Sequence, residues 1–181
     1  MAKTDQIENF DPNGIGNISE NIYGLPFNCN NANLVIIPVP WEVTVSYSAG
    51  TANAPEAILN ASYQVDLFDP YVKDAWKMGI AMDKVSKKIK SQSTSLRKKA
   101  EKYIEMLTNG DSPEQNELMK KIQDEINLAC TELNKWVKAE ALKYLDKNKV
   151  VALVGGDHST PLGLIQALSD KHSSFGILHV D

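Results

Sequence analysis

Hydrophobic positions along this chain follow two rhythms. Leu34 to Pro40, "LVIIPVP", and Lys149 to Val154, "KVVALV", are short, nearly continuous apolar runs rich in β-branched residues. That is the pattern of strands covered on both faces, as in parallel sheets. Between them Leu118, Ile122, Ile126, Ala129, Leu133, Trp136, Val137, Tyr144 and Leu145 recur at steps of three and four, the spacing of one helical face. Ser112 with Pro113 is placed to start this helix and "DKNK" to end it. Unbroken, it would run about 50 Å, so a kink or a division into two helices is expected. "VDLFDP" and "WKMGIAM" suggest two further short strands. "NAPEAILNAS" suggests a helix with Pro55 in an early position, where a missing N–H costs nothing.

The end of the chain gives the clearest unit. After "KVVALV" come a tight loop, "GGDHS", a helix, "TPLGLIQALSD", and a second apolar strand, "FGILHVD". Thr160 is a natural N-cap and Pro161 a natural first helical residue. The order strand, helix, strand implies two parallel strands joined by a right-handed crossover. Residues 1–33 differ from all this: they hold eight asparagines and no apolar periodicity. They are expected to form an irregular arm, lying on the body or on a neighbouring subunit, with residues 34–181 as one α/β domain.

Composition narrows the class. The chain has 181 residues, 43% hydrophobic and 23% charged, which suits one globular domain with a real core. A net charge of -4 and a pI near 5.4 exclude a general affinity for nucleic acid. From Lys84 to Lys102 there are eight basic residues against one acidic residue, Glu101, and a solvated loop and helix face is the simplest account of them. The N-terminus lacks the basic start and apolar core of a signal peptide, and no apolar run is long enough to span a bilayer. The expected location is cytoplasmic, with no membrane partner. Cys29 and Cys130 belong to no CxxC pair, so two free thiols are expected.

The candidate chemistry lies at the loop ends. In open parallel sheets the functional crevice lies outside the carboxyl ends of the strands. Asp157 and His158 follow one strand and Asp181 ends the next, so topology brings an imidazole and a carboxylate to the same edge. Gly155 and Gly156 permit the sharp turn this requires. Such a set suits a divalent ion that accepts mixed nitrogen and oxygen ligands, such as Mn²⁺, or a general-base pair without metal. A third possibility is a plain loop in which Asp157 caps the next helix and His158 is a satisfied polar residue. His172 follows the return helix and belongs at the opposite edge. His179 precedes Asp181 by two residues and shares its face, where a buried neutral histidine is expected. No catalytic acid or base can be named, and "GGDHST" fits neither a P-loop nor a nucleophile elbow.

"GGDHS", followed by a helix and a strand ending "LHVD", together with the earlier "PVPWEVTVSYSAGTANAPEAI", resembles the arginase/agmatinase family of ureohydrolases. The resemblance covers roughly residues 34–58 and 118–181. It implies a three-layer α/β fold with a mainly parallel sheet and a pair of Mn²⁺ ions at the strand ends, with Ni²⁺ or Zn²⁺ as alternatives. It implies that His158 binds one ion, that Asp181 is the first aspartate of a DAHxD motif and bridges both, and that Asp157 orients the loop. It further implies a homo-oligomer hydrolysing a small agmatine-like guanidino compound to urea and an amine, by hydroxide that the metal ions activate. The remainder of DAHxD and a later pair of aspartates are not in these 181 residues. This chain is therefore expected to be the N-terminal part of the fold, inactive alone, with the C-terminal half in the same or another polypeptide. Two other readings share the fold: a non-catalytic fragment or pseudoenzyme, and a single-zinc deacetylase.

Overall fold

β1, Leu34–Pro38, is the middle strand of a three-stranded, wholly parallel sheet in the order β2-β1-β3. A computed structural model of the chain describes residues 7–180. β2, Ile80–Met82, pairs along one side of β1 with Leu34 opposite Ile80, and β3, Val150–Val154, along the other with Leu34 opposite Val150. Among the described residues four α-helices accompany the sheet: α1, Ala54–Ser62; α2, Lys87–Thr108; α3, Glu117–Leu145; and α4, Leu162–Lys171. Helices packed on a parallel sheet make this an α/β fold, in which β3, α3 and α4 form one side of the core.

The core is built where β1 and its continuation meet the helices. Val35, Ile37, Val39, Trp41 and Val43 pack with Ile89, Leu96 and Ala100 of α2, Leu133, Val137, Ala141 and Tyr144 of α3, and Ala167 of α4. Alternate residues of a strand point to opposite faces. Val35 and Ile37 are buried while Leu34 and Ile36 are only half-buried, so one face of β1 is covered fully and the other in part. The expectation of cover on both faces is met in full on one face and in part on the other.

The long helix forms unbroken, 29 residues or about 44 Å. It starts later than Ser112 and Pro113, which form a turn closed by the Gln115 N–H on the Ser112 carbonyl at 3.1 Å. Asn116 is the N-cap, its side-chain oxygen accepting from Leu118 N at 3.1 Å and Met119 N at 3.3 Å. The buried stripe includes Met119 in place of the expected Leu118, which is exposed. The basic stretch becomes α2, which buries Ile89, Ser93, Leu96 and Ala100 and turns most of its lysines to solvent.

Of the two further short strands expected, one does not form and the other forms only in its second half. "VDLFDP" is irregular, and "WKMGIAM" divides into a 3-10 turn, Ala75–Met78, and β2. "FGILHV" has no regular structure either: Phe175, Ile177, Leu178 and Val180 are exposed, and the segment makes no ladder bonds to β3. A strand exists only through bonds to its neighbours, and among the described residues no strand pairs with this segment. Residues 7–33 lack strands but are not loose. Ile22, Leu25 and Ala32 are fully buried, and the Asn21 side chain both accepts from Met82 N at 2.8 Å and donates to Met82 O at 3.3 Å.

Candidate functional site

The ladder between β1 and β3 continues past both strand ends and becomes a loop scaffold. Val39 N donates to Val154 O at 2.9 Å, Asp157 N to Trp41 O at 2.8 Å and Gly156 N to Thr51 O at 3.2 Å. The strand turns away on Gly155 and Gly156, with φ of 86° and 83°, a region in which glycine alone is unstrained. Space demands glycine as well: a Cβ on Gly155 would lie 2.5 Å from Pro55 Cδ, and one on Gly156 would lie 2.4 Å from Thr160 Cγ2 and 2.8 Å from Val39 O.

Asp157 is the knot of this scaffold. Its Oδ1 accepts from Ser159 N at 3.0 Å and Ser159 Oγ at 2.5 Å. Its Oδ2 accepts from Thr44 N at 3.1 Å and Thr44 Oγ1 at 2.9 Å. Four donors use most of the lone-pair capacity of a carboxylate. Asp157 therefore ties the loop to the segment after β1 and does not cap the helix. Nor does Thr160, whose hydroxyl donates to Asp157 O at 3.1 Å and Gly155 O at 3.5 Å. α4 begins only at Leu162, and no side chain caps it.

His158 stands out from that scaffold. It is exposed, and among the described residues its imidazole makes one ring contact, with His179, at 5.1 Å between centroids and 80° between planes. His179 is exposed, not buried as expected, because the segment carrying it is uncovered. His172 is exposed after α4, as its place in the sequence implied. Asp181, the expected bridging carboxylate, lies outside the described residues. The contact between His158 and His179 brings the end of the described chain to the carboxyl edge of β3.

The loop between β1 and α1 closes the site from the other side. Glu42 folds its Oε2 onto two backbone amides, Gly50 N at 2.6 Å and Ala52 N at 3.1 Å. Ser93 Oγ accepts from Glu42 N at 3.0 Å, and Arg97 donates to Val45 O. The tip, Ser46–Gly50, is exposed, with Tyr47 at 89%. Beneath the loop the Cys130 thiol is pushed up, by burial first and the charge of Asp157 second, so it is a poor nucleophile. Both cysteines are free. Thr44 and Glu42 carry roles that reading the sequence alone does not assign; the sole local signal is a threonine and an acid in a glycine-containing loop directly after a strand.

The sequence model of the arginase family matches residues 32–181. This chain belongs to the arginase family. The N(1)-aminopropylagmatine ureohydrolases of two strains of Thermus thermophilus are each 27% identical to it over 161 residues, covering 83% of this chain and 39% of theirs. The protein of the same name from Synechocystis sp. PCC 6803 is 44% identical over 39 residues, 22% of this chain and 13% of its own. This arginase-family chain thus spans about two fifths of the Thermus proteins it matches. No solved structure matches it significantly.

The described residues supply a single donor that would suit a metal ion, and not a whole site. His158 offers an imidazole with no hydrogen-bond partner among the described residues, at the functional edge, which suits a borderline divalent ion. Asp157 is committed to its four donors, and no group of three or more His, Cys, Asp or Glu side chains placed to hold an ion lies among the described residues. No helix among them is long and apolar enough to cross a membrane.

Proposed function

We propose that this chain forms the N-terminal part of a ureohydrolase that hydrolyses an aliphatic guanidino compound to urea and an amine. The observation that carries the reading is His158: an exposed imidazole, unpartnered among the described residues apart from His179, on a loop whose neighbours are tied down, at the carboxyl edge of a parallel sheet in an arginase-family chain. His158 and Asp181 would be among the residues that hold a pair of Mn²⁺ ions. The ions, when bound, would lower the pKa of water enough to give a nucleophile at neutral pH, which the resonance-stabilised guanidinium carbon requires. Asp157 would not touch metal; it would hold the loop at its working angle. The relatives' name favours N(1)-aminopropylagmatine as substrate, with agmatine, guanidine, guanidinobutyrate and formimidoylglutamate as competitors. A homo-oligomeric state and a cytoplasmic location belong to the same proposal.

The test is urea release by the protein expressed from its entire reading frame, with Mn²⁺ or Ni²⁺ supplied, across those substrates and arginine. The expected result is urea from agmatine or aminopropylagmatine, reduced at least about 10- to 100-fold in His158→Ala. Absence of urea throughout would overturn the proposal in favour of a non-catalytic member of the family. Amide hydrolysis with one zinc per chain would point to a deacetylase.

A further inference from the structure

Thr44 spends both its backbone N–H and its hydroxyl on one carboxylate oxygen, Asp157 Oδ2, across 113 positions of sequence. Among the described residues this is where a side-chain hydrogen bond joins the β1–α1 loop to the loop bearing His158. The other joins between these segments, Asp157 N on Trp41 O and Gly156 N on Thr51 O, are backbone bonds and do not depend on the identity of a side chain. His158 sits between Asp157 and Ser159, and those two are bonded to each other through Asp157 Oδ1. The backbone that carries the imidazole is therefore tied to the plane of the Asp157 carboxylate. Thr44 fixes that plane from one side and Ser159 from the other.

We propose that Thr44 is a positioning residue: through Asp157 it sets the aim of the His158 imidazole, and so couples the β1–α1 loop to metal capture. The inference rests on the proposed role of His158 as a ligand. The hydroxyl is the active part. Valine has nearly the same shape and keeps the N–H, but it sets a methyl group against the carboxylate and leaves Oδ2 with one donor. The carboxylate then turns toward water, and the imidazole beside it loses its fixed direction. Serine keeps the hydroxyl and loses only the methyl.

The experiment uses the protein from its entire reading frame, stripped of metal and titrated with Mn²⁺, with the free aqueous ion followed by its electron paramagnetic resonance signal. Thr44→Val is expected to weaken Mn²⁺ binding about 10-fold, the lower end of what loss of a ligand's supporting partner costs. Thr44→Ser is expected to bind as the unsubstituted protein does, and both variants should remain folded at the temperature of the titration. Equal affinity in Thr44→Val and the unsubstituted protein would overturn the inference. So would equal weakness in Ser and Val, which would show that the hydroxyl alone does not carry the effect. Should the valine variant fail to fold, Thr44→Ala replaces it with the same expectation. An unsubstituted protein that binds no Mn²⁺ would instead remove His158 as a ligand, and is told apart by the starting titration.

Discussion

Gly156→Ala tests the loop scaffold most directly. The added methyl would stand 2.4 Å from Thr160 Cγ2, 2.8 Å from Val39 O and 3.0 Å from Trp41 O. The two carbonyls are backbone; Trp41 O is pinned by Asp157 N at 2.8 Å, so it cannot retreat without breaking the bond that anchors the site. A left-handed φ costs a residue with a Cβ about 1–2 kcal/mol. Forcing a methyl into a filled space costs about 1–3 kcal/mol more, for a total of roughly 2–5 kcal/mol. Gly110→Ala separates the two terms, because Gly110 has a similar φ of 93° and nothing within 4 Å of where its Cβ would lie. Alanine restricts the unfolded chain equally at both positions, so that contribution cancels in the comparison. Urea unfolding followed by circular dichroism should give the same m value for both variants and a lower midpoint for Gly156→Ala. The expected gap between them is the packing term, about 1–3 kcal/mol. If Gly156→Ala proves no less stable than Gly110→Ala, the account of a crowded turn is wrong.

Two further outcomes follow from groups away from the site. Burial alone would raise the pKa of Asp83, but hydrogen bonds from the Tyr144 hydroxyl and the Lys84 amide, with the Lys143 ammonium 3.5 Å away, hold it below its ordinary value. A depressed carboxylate stabilises the fold fully above its unfolded pKa of about 3.9, and that contribution is lost as pH falls through the folded value. Tyr144→Phe should therefore cost about 1–3 kcal/mol at pH of about 7, and the gap from the unsubstituted protein should narrow in acid unfolding experiments as the pH falls below the unfolded value of about 3.9. Asn116→Ala removes the N-cap of α3 and should lower stability by about 1 kcal/mol in urea unfolding; no change would mean that the helix starts elsewhere.

Elements were legible in the sequence where the decisive interactions are local. β1, β3, α3 and α4 could be read because a run of β-branched residues or a three-and-four periodicity is complete within its own segment. The start of α3 could not, because Ser112 and Asn116 are both good caps. The choice between them fell to the fold, which buries Met119 and leaves Leu118 exposed. "FGILHV" failed for the opposite reason. Its residues are those of a strand, yet the ladder that would make it one is entirely non-local, and among the described residues β3 has β1 on one side and no fourth strand on the other.

At the site the same division separates His158 from its supports. The two glycines, the aspartate and the histidine are adjacent, so a short motif shows both the sharp turn and the group it presents. Thr44 and Glu42 act across loops, and their importance is visible only once Asp157 Oδ2 is seen to end on Thr44, and Glu42 Oε2 on Gly50 N and Ala52 N. The arrangement also explains why a carboxylate is needed beside the histidine. A neutral side chain at position 157 would offer fewer acceptor sites, whereas an ionised carboxylate has about four and meets four donors here. Charge-assisted bonds to two amides and two hydroxyls fix the loop before any ion arrives. In the role proposed for His158, an arriving ion would meet a loop already ordered, and its binding energy would not be spent on ordering it.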